Sequence, residues 1–147
     1  MLQIGILGLG EGRSAMSAAL QSTKLHLKMV CDANEDLCKI RADEFKFHQY
    51  TTSYETMLAD SDIDIIAIYT PDHLHAAHIK LALEHNKHVI CTKPLIDNLA
   101  DALELVALQK ESGKKVFVGQ SSRFFEPYKR QRQDFEAGVI GELITIE

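Results

Sequence analysis

Five short apolar runs, each followed by a longer stretch with apolar residues every three or four positions, set the strongest limit on how this chain folds. The runs are Gln3–Leu7, Leu25–Cys31, Ile63–Tyr69, His88–Cys91 and Lys115–Val118. Each closes near a Gly, Pro, Asp or Thr, the signature of a short strand buried on both faces. Helical patterns lie between them at about Ser14–Gln21, Asn34–Phe45, Ser53–Ala59, His75–His85 and Asn98–Ser112. In the last, Leu99, Ala102, Leu103, Leu105, Val106 and Leu108 form a stripe at helical spacing, and Gly113 follows as a C-terminal cap. A further short strand is expected near Phe47–Tyr50. Strict alternation of strand and helix implies right-handed crossovers, which cover both faces of a parallel sheet with helices. The expected fold is α/β, a doubly wound parallel sheet.

A chain of 147 residues, 46% hydrophobic, holds a core without disulfides or a structural metal. Its three cysteines, Cys31, Cys38 and Cys91, cannot all pair and form no C-x-x-C, so a reducing compartment is expected. A net charge of −5 lacks the basic footprint of a nucleic-acid partner. No apolar run approaches the ~20 residues of a membrane helix, and the start carries no basic leader pattern, so the protein reads as cytoplasmic and not membrane-bound. The pattern changes after Val118: Ser121–Phe125 reads as a loop, Glu126–Ala137 as a charged helix stopped by Gly138, and Leu143–Glu147 as a new strand. The expected organisation is a first domain over 1–120, with 121–147 forming the linker helix and first strand of a second domain, most of it missing from this chain.

Glycines follow the first strand directly. In Gly8-Leu9-Gly10-Glu11-Gly12-Arg13, backbone N–H groups and a helix dipole can meet a pyrophosphate, and residues without a Cβ let it approach. Against the dinucleotide pattern G-x-G-x-x-G, Gly8 and Gly10 fit, Gly12 falls one residue early, and Arg13 takes the third position. Arg13 is read either as a phosphate or ribose partner or as a solvated first-turn residue. The second strand ends at Asp32, where a dinucleotide fold of the Rossmann type places an acid against the adenosine ribose hydroxyls. Such a carboxylate repels a 2′-phosphate, favouring NAD, with NADP still open because Arg13 could compensate. The competing role for Asp32 is to cap the helix starting near Asn34. The same glycine string also fits an S-adenosylmethionine-dependent methyltransferase, although Ile6 stands where those loops usually carry an acid.

Further along come Thr70-Pro71-Asp72-His73-Leu74-His75, then Ala82-Leu83 with Lys87-His88-Val89, then Thr92-Lys93-Pro94. The chain resembles the N-terminal domain of the Gfo/Idh/MocA oxidoreductases, the family of glucose-fructose oxidoreductase and inositol dehydrogenase. The family pattern T-P-x-x-x-H, A-L-x-x-G-K-H-V and E-K-P is met at Thr70, Pro71, His75, Ala82, Leu83, Lys87, His88, Val89, Lys93 and Pro94. The likeness extends to Gly119-Gln120, Arg123-Phe124 and the Gly138–Glu142 turn. Asn86 replaces a glycine, a mild change because Asn tolerates the left-handed conformation. Thr92 replaces the glutamate beside the lysine, removing a charge partner from Lys93.

The resemblance implies hydride transfer between NAD(P) and a sugar or polyol carbon. It makes Lys93 the catalytic candidate, beside the reacting hydroxyl, where a cation stabilises developing alkoxide. It also implies a cis peptide before Pro94. The expected cofactor-binding set is Gly8, Leu9, Gly10, Glu11, Gly12, Arg13, Asp32, Thr70, Pro71, His75, Thr92 and Lys93. The family's general base lies in the second domain, so this chain alone is not expected to turn over; a non-catalytic nucleotide-binding or sensing module is the alternative. Exposed apolar surface is expected where that domain docks. A homo-oligomer is left open, since the family assembles through the second domain.

His73, His75 and His78 form H-x-H-x-x-H, but no nearby Cys completes a ligand set and no metal is expected. His78, His85 and His88 read as surface or helix-end residues, Cys31 and Cys91 as small buried apolar groups, and Lys129-Arg130-Gln131-Arg132 as a solvated face.

Overall fold

The computed structural model describes residues 1–142 and 144. At its centre stand β1 (Leu2–Leu7) and β4 (Ile65–Ile68), adjacent and parallel. All four residues of β4 are buried and apolar, as befits a strand covered on both faces. On one side of this pair lie β2 (Leu25–Cys31) and β3 (Tyr50–Thr51); on the other lie β5 (His88–Thr92) and β6 (Val116–Gly119). The six-stranded sheet has the order β3-β2-β1-β4-β5-β6, parallel throughout.

Alternation along the strands divides the core in two. Ile4 and Ile6 of β1 with Ile65 and Ala67 of β4 pack against α1 (Arg13–Gln21) and α2 (Glu35–Phe45) through Met16, Ala19 and Cys38. Leu7, Ile66 and Ile68 face the other way, towards α3 (Tyr54–Ala59), α4 (His75–Glu84) and α5 (Leu99–Ser112). The period of two in the strands thus meets helical faces on both sides.

Local signals start and stop these helices. Asn34, Ser53 and Asn98 accept hydrogen bonds from the N–H groups of Leu37, Thr56 and Asp101, capping α2, α3 and α5. The left-handed residues Lys46 and Gly113 close α2 and α5, and Asn86 takes a φ of +59°, as expected for Asn at a glycine position. Lys87 is buried at the start of the following strand, and its ammonium donates to the carbonyls of Asp60 and Ile63 at 2.6 and 2.9 Å.

Three expectations shift. The strand near Phe47–Tyr50 is Tyr50–Thr51, only two residues, paired with Val30 and Cys31. The α5 stripe splits: Leu105 is buried on α4 and the sheet, whereas Leu99, Leu103 and Val106 are 74%, 66% and 53% exposed. The Ser121–Phe125 loop is a 3-10 turn over Ser121–Phe124, leading into α6 (Glu126–Glu136). The expected strand Leu143–Glu147 lies, except for Ile144, outside the described residues.

The β1–α1 turn depends on two glycines. Gly8 has a φ of +88°, and a Cβ there would stand 2.6 Å from the Tyr69 carbonyl oxygen. A Cβ on Gly12 would overlap the Gly8 carbonyl oxygen. Gly12→Ala is expected to cost about 3 kcal/mol, as overpacking against backbone does. Gly113→Ala, left-handed but in open space, should cost about 1 kcal/mol. Urea unfolding midpoints of the two variants should fall in that order.

Candidate functional site

Because β1 and β4 are neighbours whose following helices leave to opposite faces, a cleft opens above their carboxyl ends, where doubly wound sheets hold ligands. It encloses about 880 Å³ and is bordered by the β1–α1 turn, the end of β2, the β4–α4 turn and the end of β5. That volume falls in the range of small-molecule and cofactor pockets.

Gly8, Gly10, Glu11, Asp32, Thr70, Pro71, Thr92 and Lys93 all line this one cleft, although they come from four loops. Asp32 is fixed by two backbone donors: Leu9 N–H reaches its Oδ2 at 2.7 Å and Asn34 N–H its Oδ1 at 2.9 Å. Helix α2 is capped by Asn34, so Asp32 is not its N-cap. A carboxylate has about four acceptor positions, which leaves lone pairs directed at the cleft.

The N–H groups of Gly10, Glu11 and Gly12 find no acceptor among the described residues. They precede α1, whose dipole presents its positive end there. A Cβ on Gly10 would meet nothing within 4 Å, so space for an anion adjoins the loop. Unused donors, a helix N-terminus and open space fit a pyrophosphate, and Asp32 fits ribose hydroxyls.

Four expected residues stand outside the cleft wall. Leu9 is buried with its side chain in the core, and its N–H is already given to Asp32. Gly12 packs beneath Gly8 and takes over the close-packing role expected one position later. Arg13 turns away from the glycine loop: its Nε donates to Glu44 Oε1 at 2.6 Å, and its guanidinium lies 5.8 Å from the centre of the Phe45 ring. His75 is wholly buried, with Nδ1 2.7 Å from the Pro94 carbonyl oxygen and Nε2 2.8 Å from that of Thr70. Expected as a cofactor contact, it instead sits beneath two of the loops and joins them.

His78, expected at the surface, is half-buried and borders the cleft. One turn after His75, its Nδ1 lies 2.9 Å from Thr70 Oγ1, so the two histidines hold the carbonyl and the hydroxyl of one threonine. The Tyr54 hydroxyl donates to the His78 carbonyl at 2.9 Å, and the two rings meet edge to face. Tyr54, Tyr69, Thr52 and Leu37 also line the cleft without having been expected there. Only Tyr54 carried a sequence signal, an aromatic at the first position of a capped helix.

Burial pushes the Cys31 and Cys91 thiols up to about 12, in keeping with apolar packing rather than reactivity. Lys93 is exposed at the cleft, forms no ion pair among the described residues, and precedes a cis peptide to Pro94.

Fold and cleft together define a dinucleotide-binding Rossmann domain. Residues 2–120 match the family described as "Oxidoreductase family, NAD-binding Rossmann fold", and the chain belongs to that family, GFO_IDH_MocA. It is 32% identical over 138 residues to the uncharacterized oxidoreductase YrbE of Bacillus subtilis, covering 93% of this chain and 40% of that protein. It is 26% identical to inositol 2-dehydrogenase 1 of Saccharopolyspora erythraea, over 99% of this chain and 44% of that one. An oxidoreductase from Agrobacterium radiobacter, crystallised with NAD+, L-tartaric acid and magnesium, superposes with a TM-score of 0.88 at 25% identity, covering 96% of this chain and 42% of that one. The chain thus spans about two fifths of the length of these relatives. Membership of this family selects the NAD-binding reading of the glycine string over the methyltransferase one. No helix among the described residues is long and apolar enough to cross a membrane.

His75→Ala removes a buried ring and both of its hydrogen bonds, and chemical denaturation should show a loss of about 2–4 kcal/mol. Burial, with the charge of His75 as a smaller contribution, holds the His78 pKa below its ordinary 6.5. The unfolded chain therefore takes up this proton at higher pH than the folded one. Stability from this group is complete above about 6.5 and falls as pH drops through the lower folded value. His78→Gln should flatten that part of the stability profile relative to wild type, measured by thermal unfolding between pH 7 and 5.

Proposed function

We propose that residues 1–120 are the cofactor-binding unit of an NAD-dependent oxidoreductase acting on a hydroxyl of a sugar or polyol, and that 121–147 lead towards a second domain carrying the substrate pocket. The carrying observation is the one cleft that holds the side chain of Asp32 on the β2 side and that of Lys93 just after β5. The inositol 2-dehydrogenase relative supports the substrate class.

In this reading, Asp32 accepts hydrogen bonds from both adenosine ribose hydroxyls while keeping Leu9 N–H in place. Gly10, Glu11 and Gly12 donate backbone N–H groups to the pyrophosphate. Thr70 and Pro71 border the same cleft, with Thr70 held by His75 and His78. NAD supplies a nicotinamide carbon that accepts or returns a hydride. Lys93, fixed through the His75 contact to Pro94, presents positive charge to the substrate oxygen and stabilises the alkoxide. Thr92 in place of an acid leaves that charge without a carboxylate at the adjacent residue.

Exposed Phe117, Phe124, Phe125 and Tyr128 on β6 and the segment after it support docking of a further domain. The preference for NAD over NADP rests on the Asp32 carboxylate, which a 2′-phosphate would meet at close range.

Calorimetric titration with NAD and NADP tests the reading. NAD should bind saturably, and Asp32→Ala should weaken it about 10–100-fold, the loss expected for hydrogen bonds to a charged group. Absence of NAD binding by a folded wild-type chain would overturn it.

A further inference from the structure

A line of polar contacts runs along the outer side of the glycine loop. Leu9 gives its N–H to Asp32, and its carbonyl accepts from Arg41 Nε at 3.0 Å. Arg41 Nη1 donates to Glu44 Oε2 at 2.8 Å. The other oxygen of Glu44 takes Arg13 Nε at 2.6 Å together with a second nitrogen of the same guanidinium. One carboxylate on α2 therefore engages two arginines, one on each of the helices flanking the loop that Asp32 grips.

We propose that Glu44 determines which dinucleotide this cleft accepts, by holding Arg13 away from the ribose edge where a 2′-phosphate would otherwise recruit it. The inference rests on the reading of the cleft as an NAD site and adds a residue outside the cleft wall.

A guanidinium is the group best shaped to receive phosphate, because its planar fork donates two parallel hydrogen bonds. A 2′-phosphate would add roughly two negative charges beside Asp32, and a free guanidinium is what makes such a site tolerable. Here the two arginines beside the loop are both already engaged. Arg41 is held twice, by Leu9 and Glu44, with 18% of its side chain exposed. Arg13 is held by Glu44 and is 58% exposed, so Glu44 is its principal restraint. The guanidinium of Arg13 keeps the Glu44 carboxyl below its ordinary range, so it stays ionised at neutral pH and holds both partners.

Neutralising Glu44 should leave Arg41 on the Leu9 carbonyl and release Arg13. Arg13 follows the loop directly, its own N–H pointing at the Gly10 carbonyl, so the freed side chain starts at the edge of the anion site.

The test is titration of NAD and NADP into wild type, Glu44→Gln and Glu44→Gln/Arg13→Ala at low and high salt. In Glu44→Gln the ratio of NADP to NAD affinity should rise about tenfold, the effect of one added charge-assisted contact of ~1.4 kcal/mol. The gain should shrink at 1 M salt, as expected for exposed charges, and disappear in the double variant. An unchanged ratio in a Glu44→Gln chain that binds NAD normally overturns the inference alone. Failure of wild type to bind NAD overturns the cofactor reading beneath it. If Glu44→Gln does not fold, Glu44→Asp, with its carboxylate drawn back by one methylene, gives the same readout: a rise in the ratio supports the inference and none overturns it.

Discussion

One missing methyl group governs the top of this molecule. At Gly8 the backbone turns through a left-handed conformation against the Tyr69 carbonyl, so the chain leaving β1 and the chain leaving β4 meet at van der Waals range before parting. Gly8 N–H is tied to Cys31 O at 2.8 Å and Tyr69 N–H to Leu7 O at 2.8 Å, which binds the ends of three central strands into one rigid rim. With any larger residue at Gly8, the rim would have to spread and the cleft above it would change shape. Order in the sheet makes the cleft, and the backbone contact at Gly8 sets its floor.

Above the floor, the loops are held by two polar side chains, Asp32 and His75. Asp32 grips the glycine loop through Leu9 and the start of α2 through Asn34. His75 grips the β4–α4 turn through Thr70 and the β5 end through Pro94. Each side chain spans two segments, so four loops reduce to two braced pairs. Such bracing keeps a binding geometry in place before any ligand arrives, which lowers the ordering cost of binding.

Much of this was legible from the chain itself, and the failures share a cause. The buried strands could be read because Ile65–Ile68 and Ile4–Leu7 are apolar whichever way each residue points, so the pattern survives without knowledge of neighbours. The α5 stripe misled because periodicity gives a face but not whether anything covers it; Leu105 found a partner helix whereas Leu99 and Leu103 did not. His75 and His78 stand in opposite relations to the cleft from those their sequence positions suggest. One carries a motif position yet points inward to carbonyls, and the other looks incidental yet touches Thr70 in the cleft. Motif membership locates a residue near a site without saying whether it faces ligand or scaffold. Glu44 was unreadable for a simpler reason: its partners Arg13 and Arg41 meet it only because α1 and α2 share a face of the sheet.

The charges around the cleft follow from the same topology. The β2 strand is followed directly by an acid and the β5 strand by a lysine, and parallel pairing through β1 and β4 brings both to one edge of the sheet. A ligand spanning that edge meets an acceptor at one end and a cation at the other, which is the polarity the proposed cofactor and substrate sites use. The replacement of an acid by Thr92 sharpens this polarity, since an ammonium without an adjacent carboxylate keeps its field for whatever lies in the cleft. The acidic end is reinforced by Glu44, which keeps Arg13 from blunting it. Sheet order fixes where the charges stand, and the pairing of arginines outside the cleft leaves the carboxylate at its edge to decide what enters.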